Sequence, residues 1–492
     1  MASVIVTESS DNIIVVDEVG MQAARLATTL GVRAAARPEL AAWYAAIANR
    51  ETAAAKVVLM SDSIWDGGQI TTFDKQNYRL VESRLRKLLG MADGSSGGYG
   101  YIPGVQIGWG VAPPVILTGA ENAVTGAGWY KLPYGLGVRA LGLSSGATAS
   151  WTQVCDRVKV YYSKRTAYVG PADVYIDDVL VTSLTSIGGT DSAGYVWDSG
   201  ALTPGSHTLK IVATGAWTGF CFTLDGVEFL NSDTDRGIHV YGGGHYGGST
   251  ATYLSSDAYA GHWKTFDLLQ PQLTVIALGT NDLIGITTDE YLANLDTIIN
   301  RIDSSLGATP HSIVLVIPYA VPSNIVGRED RWNGYVNGIY ARASAHVSVL
   351  DLNMCWPALV TSGATNNGLM FESTDPIHPN DAGSSLLADI LIHHIMPSPQ
   401  ITLASGGTRV IDLGTTPSAS FMRTISWPGA TVGQPIICTP STDYPSSIRS
   451  DEYEMAPFVV AGKVSAADTI EVIVQSVLGA PIAGRVRVNI SV

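Results

Sequence analysis

The sequence is short of charge, of cysteine and of long apolar runs, and each shortage excludes something. Charged side chains make up 15% of its 492 residues, and 29 Lys and Arg face 43 Asp and Glu, a formal net charge of −14. No Lys/Arg cluster occurs, so the basic face that nucleic acid or an anionic membrane surface requires is missing. The four cysteines, Cys155, Cys221, Cys355 and Cys438, form no CxxC pair and have no His at zinc spacing. They read as buried free thiols, and no metal site or other cofactor is expected. A Cys155–Cys221 disulfide stays open, because both lie in one segment. No apolar run approaches the ~20 residues of a membrane helix, and Met1–Ser10 lacks the basic start and apolar core of a signal peptide. Synthesis in a cytoplasm, without an export signal or membrane insertion, is the expectation.

What is present is 46% apolar sequence with 52 glycines, enough for two to four folded domains rich in strands and turns. Residues 1–55 read as short β segments and an Ala-rich stretch, an N-terminal attachment or spacer segment. Val57–Met60 is an apolar run ending in Ser61-Asp-Ser, as a buried parallel strand ends at the edge of a sheet. Asp74–Leu89 then carries apolar residues at helical spacing. Between 97 and 226 the pattern changes to Gly-rich turns and alternating strands, which predicts an inserted β-sandwich. Strand candidates Ile238–Tyr241, Leu273–Leu278, Ile313–Ile317 and Val347–Leu352 alternate with amphipathic stretches at 289–306, 328–345 and 380–395. The predicted class is therefore α/β, a three-layer sandwich with a parallel central sheet, its chain split into 56–96 and 227–396. Met396-Pro-Ser-Pro-Gln breaks the last helix, and 400–492 reads as a C-terminal β domain.

Four motifs fall in order along the α/β portion: Ser61-Asp-Ser-Ile64, Gly242-Gly-Gly-His-Tyr-Gly247-Gly-Ser-Thr, Gly279-Thr-Asn281-Asp, and Thr374-Asp375-Pro-Ile-His378-Pro-Asn380. Together they resemble the four sequence blocks of the SGNH (GDSL-like) hydrolase family, with a departure where Ser61 stands in place of the usual glycine. The resemblance implies Ser63 as nucleophile, since a serine where a strand turns into a loop exposes its Oγ and can aim its own N–H at a developing oxyanion. It implies His378 as general base and acid, with Asp375 orienting the imidazole. It also implies an oxyanion hole of the Ser63 N–H, the Gly247 N–H and the Asn281 side chain, glycine serving where the backbone must approach substrate closely. Gly248 is the register alternative to Gly247 and a candidate substrate-binding residue. Trp65, beside the nucleophile loop, is the expected cleft wall. Trp109, Trp129, Trp263 and Trp332 read as core before sugar platforms, and His393-His394 as packing.

The end of the chain, Val464–Gln475 followed by Gly479-Ala-Pro-Ile and Arg485–Val492, resembles the terminal β domain of phage minor tail proteins. That resemblance implies a virion (phage tail) location, other tail proteins as partners and a homotrimer. The combined expectation is a cofactor-free serine esterase that removes O-acetyl groups from a bacterial envelope polysaccharide. A lipid-ester hydrolase of the host envelope, and a glycan- or receptor-binding tail protein without turnover, are the alternatives.

Overall fold

Five short runs dominated by Val, Ile and Leu, almost without charge, are built to be buried on both faces, and they pair as one parallel sheet. They are β1 (Ala54–Ser61), β2 (Gly237–Gly244), β3 (Leu273–Ala277), β4 (Ser312–Ile317) and β5 (Val347–Asp351), in the order β2-β1-β3-β4-β5. The computed structural model describes residues 5–9, 12–16, 37–68, 70–89, 91, 98–105, 116–118, 134–166, 170–188, 192–216, 220–231, 236–254, 261–356, 369–372, 375–396, 406–418, 420–428, 437–440, 458–476 and 482–491. They fall into two compact units, Arg37–Met396 and Met1–Ala36 with Pro397–Val492.

Successive strand residues point to opposite faces, so the sheet feeds two cores. Val57 and Leu59 of β1 join one, with Val81 and Leu85 of α3 (Asn77–Leu88) and Leu387 and Leu391 of α6 (Asp381–Ile395). Val58 and Met60 join the other, with Ile298 and Ile302 of α4 (Thr288–Leu306) and Tyr335 and Ile339 of α5 (Glu329–Tyr340). Capping fixes where two of these helices start. Thr287 Oγ accepts from Glu290 N–H at 3.2 Å before α4, and the Asn380 side chain accepts from Ala382 and Gly383 N–H at 3.0 Å before α6.

The N-terminal boundary expected at residue 55 is corrected. Leu40, Trp43 and Ile47, three and four residues apart on the 3₁₀ turn Pro38–Leu40 and α1 (Ala41–Ala48), are buried in the first core. Trp43 Nε1 donates to the Ile395 carbonyl at 2.9 Å, tying α1 to the end of α6. Residues from Arg37 onward therefore belong to the α/β unit, and β1 starts at Ala54.

Within the segment from Gly100 to Leu230 the strands form two antiparallel sheets separate from the parallel one. One runs Val179–Thr185, Pro171–Ile176, Gly205–Ala213, Thr148–Cys155, Ile116–Thr118. The other runs Ser192–Asp198, Arg157–Lys164, Phe220–Leu230, Gly100–Pro103, with Leu141–Ser144 also on Phe220–Leu230. Trp151, Val174, Leu209, Val160 and Phe222 are buried between them. Cys155 and Cys221 are buried free thiols, so the open disulfide alternative is corrected; Cys221 Sγ donates to the Gly215 carbonyl at 3.2 Å instead.

In the second unit, Ile5–Ser9 pairs with Asn12–Val16 as a hairpin. The C-terminal strands form two three-stranded antiparallel sheets, Gly406–Ser418 with Ile482–Ser491 and Ile437–Pro440, and Ser420–Ser426 with Thr469–Ser476 and Phe458–Ala466.

Candidate active site

The strand order reverses direction at β1, and the crevice outside the carboxyl ends of strands at such a switch point is where open α/β sheets place ligands. Three of the four motifs leave the sheet there: Ser61–Ile64 at the end of β1, Gly242–Gly248 from the end of β2, and Gly279–Asp282 just after β3. Ser63 begins the four-residue helix α2 (Ser63–Asp66), and Asp62 caps it by accepting from Ile64 N–H at 3.0 Å. The fourth motif comes from the far end of the chain on the short strand Asp375–Pro379. It closes the site: Ser63 Oγ lies 2.8 Å from His378 Nε2 across 315 residues of sequence. At that separation the hydroxyl and the imidazole share a hydrogen bond, and the ring is placed to take the serine's proton.

The loops carrying Ser63 and His378 are held together by paired contacts. Thr71 N–H donates to the Asp381 carboxylate at 2.9 Å. Ser384 Oγ donates to the Lys75 carbonyl at 2.8 Å, and Asn77 Nδ2 to the Ile64 carbonyl at 3.3 Å. Arg84 meets Asp389 at 2.6 Å. On the histidine side, Tyr319 Oη donates to the Ile377 carbonyl, and the Tyr319 ring stacks on Trp356 at 4.8 Å. Tyr246 stacks on the His378 ring, 5.9 Å between centroids and 12° between planes. Gly68 lies against the Cδ2–Nε2 edge of the ring, where an added Cβ would sit 3.0 Å from His378 Cδ2. The Asp375 side chain lies outside the described residues.

The Gly-rich loop is shaped by its own backbone. His245 N–H donates to the Ser61 carbonyl at 2.9 Å, and Gly248 N–H to the His245 carbonyl at 2.8 Å. The N–H of Gly248 is therefore committed, and among the described residues nothing accepts from Gly247, which adopts a left-handed φ of +68° at an exposed position. Asn281 Nδ2 donates to the Gly248 carbonyl at 2.9 Å, leaving its second amide hydrogen uncommitted by that bond. Asp282 braces the same loop from behind, accepting from Thr250 N–H at 3.0 Å and Thr250 Oγ at 2.6 Å.

Beneath the site lies a buried ion pair that sequence reasoning missed. Arg139, in the inserted segment, reaches Asp66 of α2 at 2.6 Å and donates to the Gly242 carbonyl at 2.7 Å. Burial pushes the Asp66 carboxyl up to about 6 against the pull of Arg139. Burial likewise pushes Asp62 up to about 7, opposed by the Ile64 N–H and by His378. His245 Nδ1 bonds the Gly137 carbonyl at 2.8 Å, and Gly137 N–H donates to His262 Nδ1 at 3.0 Å, so burial, which pushes His262 down to about 3, keeps that ring neutral. The inserted segment thus contacts both the nucleophile turn and the Gly-rich loop. Tyr246 had a readable signal, an aromatic ring amid five glycines and a histidine; the Arg139–Asp66 pair had none.

Trp65 is corrected as a cleft wall. It is 3% exposed and lines, with Ile64, Tyr319 and Leu352, a cavity of about 10 Å³, far too small for a sugar. Trp263 and Trp332 are core residues, and Trp109 and Trp129 lie outside the described residues. His394 is buried with Nε2 2.9 Å from Ser348 Oγ, a packing role.

Residues 230–386 match the GDSL-like Lipase/Acylhydrolase family. No curated protein matches the chain significantly. A solved peptidoglycan O-acetylesterase is similar over 74% of this chain and 97% of its own, at 16% identity and a TM-score of 0.52. A family two carbohydrate esterase from Clostridium thermocellum covers 51% of this chain and 92% of its own at 14% identity and TM-score 0.26, and a Bacillus subtilis protein, YXIM, covers 57% and 86% at 15% and 0.27. The family match, the shared fold and the paired Ser63 and His378 converge: the chain contains a GDSL-like lipase/acylhydrolase (SGNH) domain and is by class a serine ester hydrolase.

Proposed function

We propose that this hydrolase removes O-acetyl groups from a bacterial envelope polysaccharide, with Ser63, His378 and Asp375 as its triad. The observation that carries the reading is the 2.8 Å approach of Ser63 Oγ to His378 Nε2. Ser63 Oγ attacks the acetyl carbonyl carbon while its proton passes to His378 Nε2. The oxyanion is received by the N–H groups of Ser63 and Gly247 and the remaining Asn281 amide hydrogen. On collapse the sugar alkoxide leaves with the proton from His378, and water, deprotonated by the same imidazole, releases acetate from the acyl-Ser63. Asp375, three residues before the histidine, orients the ring and stabilises its cation.

Two observations support acetyl over a long acyl chain. Trp65 and Ile64 are buried, so among the described residues the nucleophile turn offers no exposed apolar side chain of its own to hold a long acyl chain. A peptidoglycan O-acetylesterase shares the fold at a TM-score above 0.5. The C-terminal strand pattern supports a place in a phage tail, assembled with other tail proteins as a homotrimer. Acetate release from O-acetylated peptidoglycan, measured beside hydrolysis of p-nitrophenyl acetate and p-nitrophenyl palmitate, tests the substrate class. Acetate release with little palmitate turnover is expected; a preference for palmitate would assign the lipid-ester alternative, and binding without turnover of any ester would assign the receptor module.

A further inference from the structure

At the sheet edge opposite Ser63, side chains from three elements converge. Asp303 stands in the last turn of α4, His311 in the connection entering β4, and His346 immediately before β5. His311 Nε2 lies 2.9 Å and His346 Nε2 3.1 Å from the same oxygen, Oδ1 of Asp303. One ligand atom from each of the three falls within 4.8 Å of the others. Sheet pairing holds the two histidines in place, since Ile313 N–H donates to the His346 carbonyl at 2.8 Å.

One nitrogen of His311 is already committed. Its Nδ1 is 2.9 Å from the Thr309 carbonyl, and a carbonyl oxygen only accepts, so Nδ1 carries a proton and donates there. Nε2 is then the ring nitrogen that faces the carboxylate oxygen. A ring nitrogen tied to a backbone carbonyl is also the usual outer support of a metal-bound histidine. Ligands held at ~2.0–2.1 Å round a tetrahedral ion stand ~3.3 Å apart, close to the 2.9 and 3.1 Å from each histidine Nε2 to Asp303 Oδ1. Access is open: the His346 and Asp303 side chains are 38% exposed.

We propose that Asp303, His311 and His346 form a divalent transition-metal site of the zinc type, completed by water, that fastens the end of α4 to the entrances of β4 and β5. Imidazole and carboxylate donors without thiolate suit zinc, and the place of the cluster, away from Ser63, makes its role structural. In the sequence His311 and His346 stand 8 and 43 residues from Asp303, a spacing without a local signature.

The full chain, stripped with EDTA and titrated calorimetrically with Zn²⁺, is expected to bind one equivalent, and Co²⁺ is expected to give the intense visible bands of a tetrahedral site. His311→Ala with His346→Ala should abolish both signals, and Asp303→Asn, which keeps the side-chain shape, should weaken Zn²⁺ binding at least ~10-fold, since even an outer partner of a metal ligand is worth that much. Hydrolysis of p-nitrophenyl acetate should be unchanged in all variants, which checks folding by a separate route. Absence of saturable Zn²⁺ binding to the wild-type chain, as three groups joined only by protons would give, or equal binding by wild type and the double variant, overturns the proposal.

Discussion

The guanidinium of Arg139 meets the carboxylate of Asp66 at 2.6 Å with both side chains withdrawn from solvent. One partner comes from the inserted segment, the other from the turn after Ser63. Removing a single partner strands a buried charge, which typically costs 3–5 kcal/mol, whereas replacing both with apolar groups is often near neutral. Arg139→Leu should therefore lower the melting temperature markedly, and Arg139→Leu with Asp66→Leu should recover much of the loss. Thermal unfolding of the two variants and the double variant decides it; additive losses would show that the pair is not coupled.

Ser63→Ala and His378→Ala should each reduce p-nitrophenyl acetate turnover by roughly 10⁴-fold or more, and the double variant little further, because nucleophile and base act as one unit. Asp375→Asn should be milder. Wild-type turnover in Ser63→Ala would remove the assignment.

Gly68 tests how tightly the imidazole is seated. A methyl group there would sit 3.0 Å from His378 Cδ2 and 3.2 Å from the Ser63 carbonyl, so the ring must shift. Misplacement of a catalytic group costs up to ~10²-fold in rate. Gly68→Ala should lower kcat with little change in melting temperature; unchanged kcat would mean that the ring has slack.

The raised carboxyl of Asp62, at about 7 against 3.8 for the free group, sets a pH dependence. Between those values the folded chain holds a proton that the unfolded chain has released, so this contribution is fully present below pH ~4 and is lost as pH rises through ~7. It amounts to at most ~4 kcal/mol. Asp225, also pushed up to about 7 by burial, acts over the same window, so the comparison must be with Asp62→Asn in the same chain. The variant should lose less stability than wild type between pH 4 and 7. Parallel stability curves would refute the assignment.

Every motif residue lies between Arg37 and Met396. A chain ending after Pro399 keeps the Trp43 bond to Ile395 and should hydrolyse p-nitrophenyl acetate as the full chain does. Light scattering should show a smaller oligomer; unchanged mass would deny the C-terminal region a role in self-association.

What could be read from the sequence was local. Apolar runs ending in Ser61-Asp-Ser or Gly279-Thr-Asn, and helix starts such as Asn380, announce themselves within a few residues, and the sheet, its helices and the convergence of Ser63 with His378 follow from them. Arg37–Ala48 escaped because alanines at 41, 42, 45, 46 and 48 surround α1 and blur the contrast between the face of Leu40, Trp43 and Ile47 and the rest. Trp65 was misread because nearness to Ser63 in sequence does not fix which way a ring points when Ile64, Tyr319 and Leu352 offer an apolar pocket on the inner side. Arg139–Asp66 and Asp303–His311–His346 are joined only by the fold.

The 315-residue separation of Ser63 and His378 also sets when the proposed triad can first form. On the ribosome, the strand that will carry Ser63 is among the early parts of the α/β unit to emerge, while its base and the helix that seats it, up to Ile395, are among the last. Nascent or prematurely ended chains therefore display the serine without the imidazole. With the proposed triad, hydrolysis is expected only from a molecule whose α/β unit is finished.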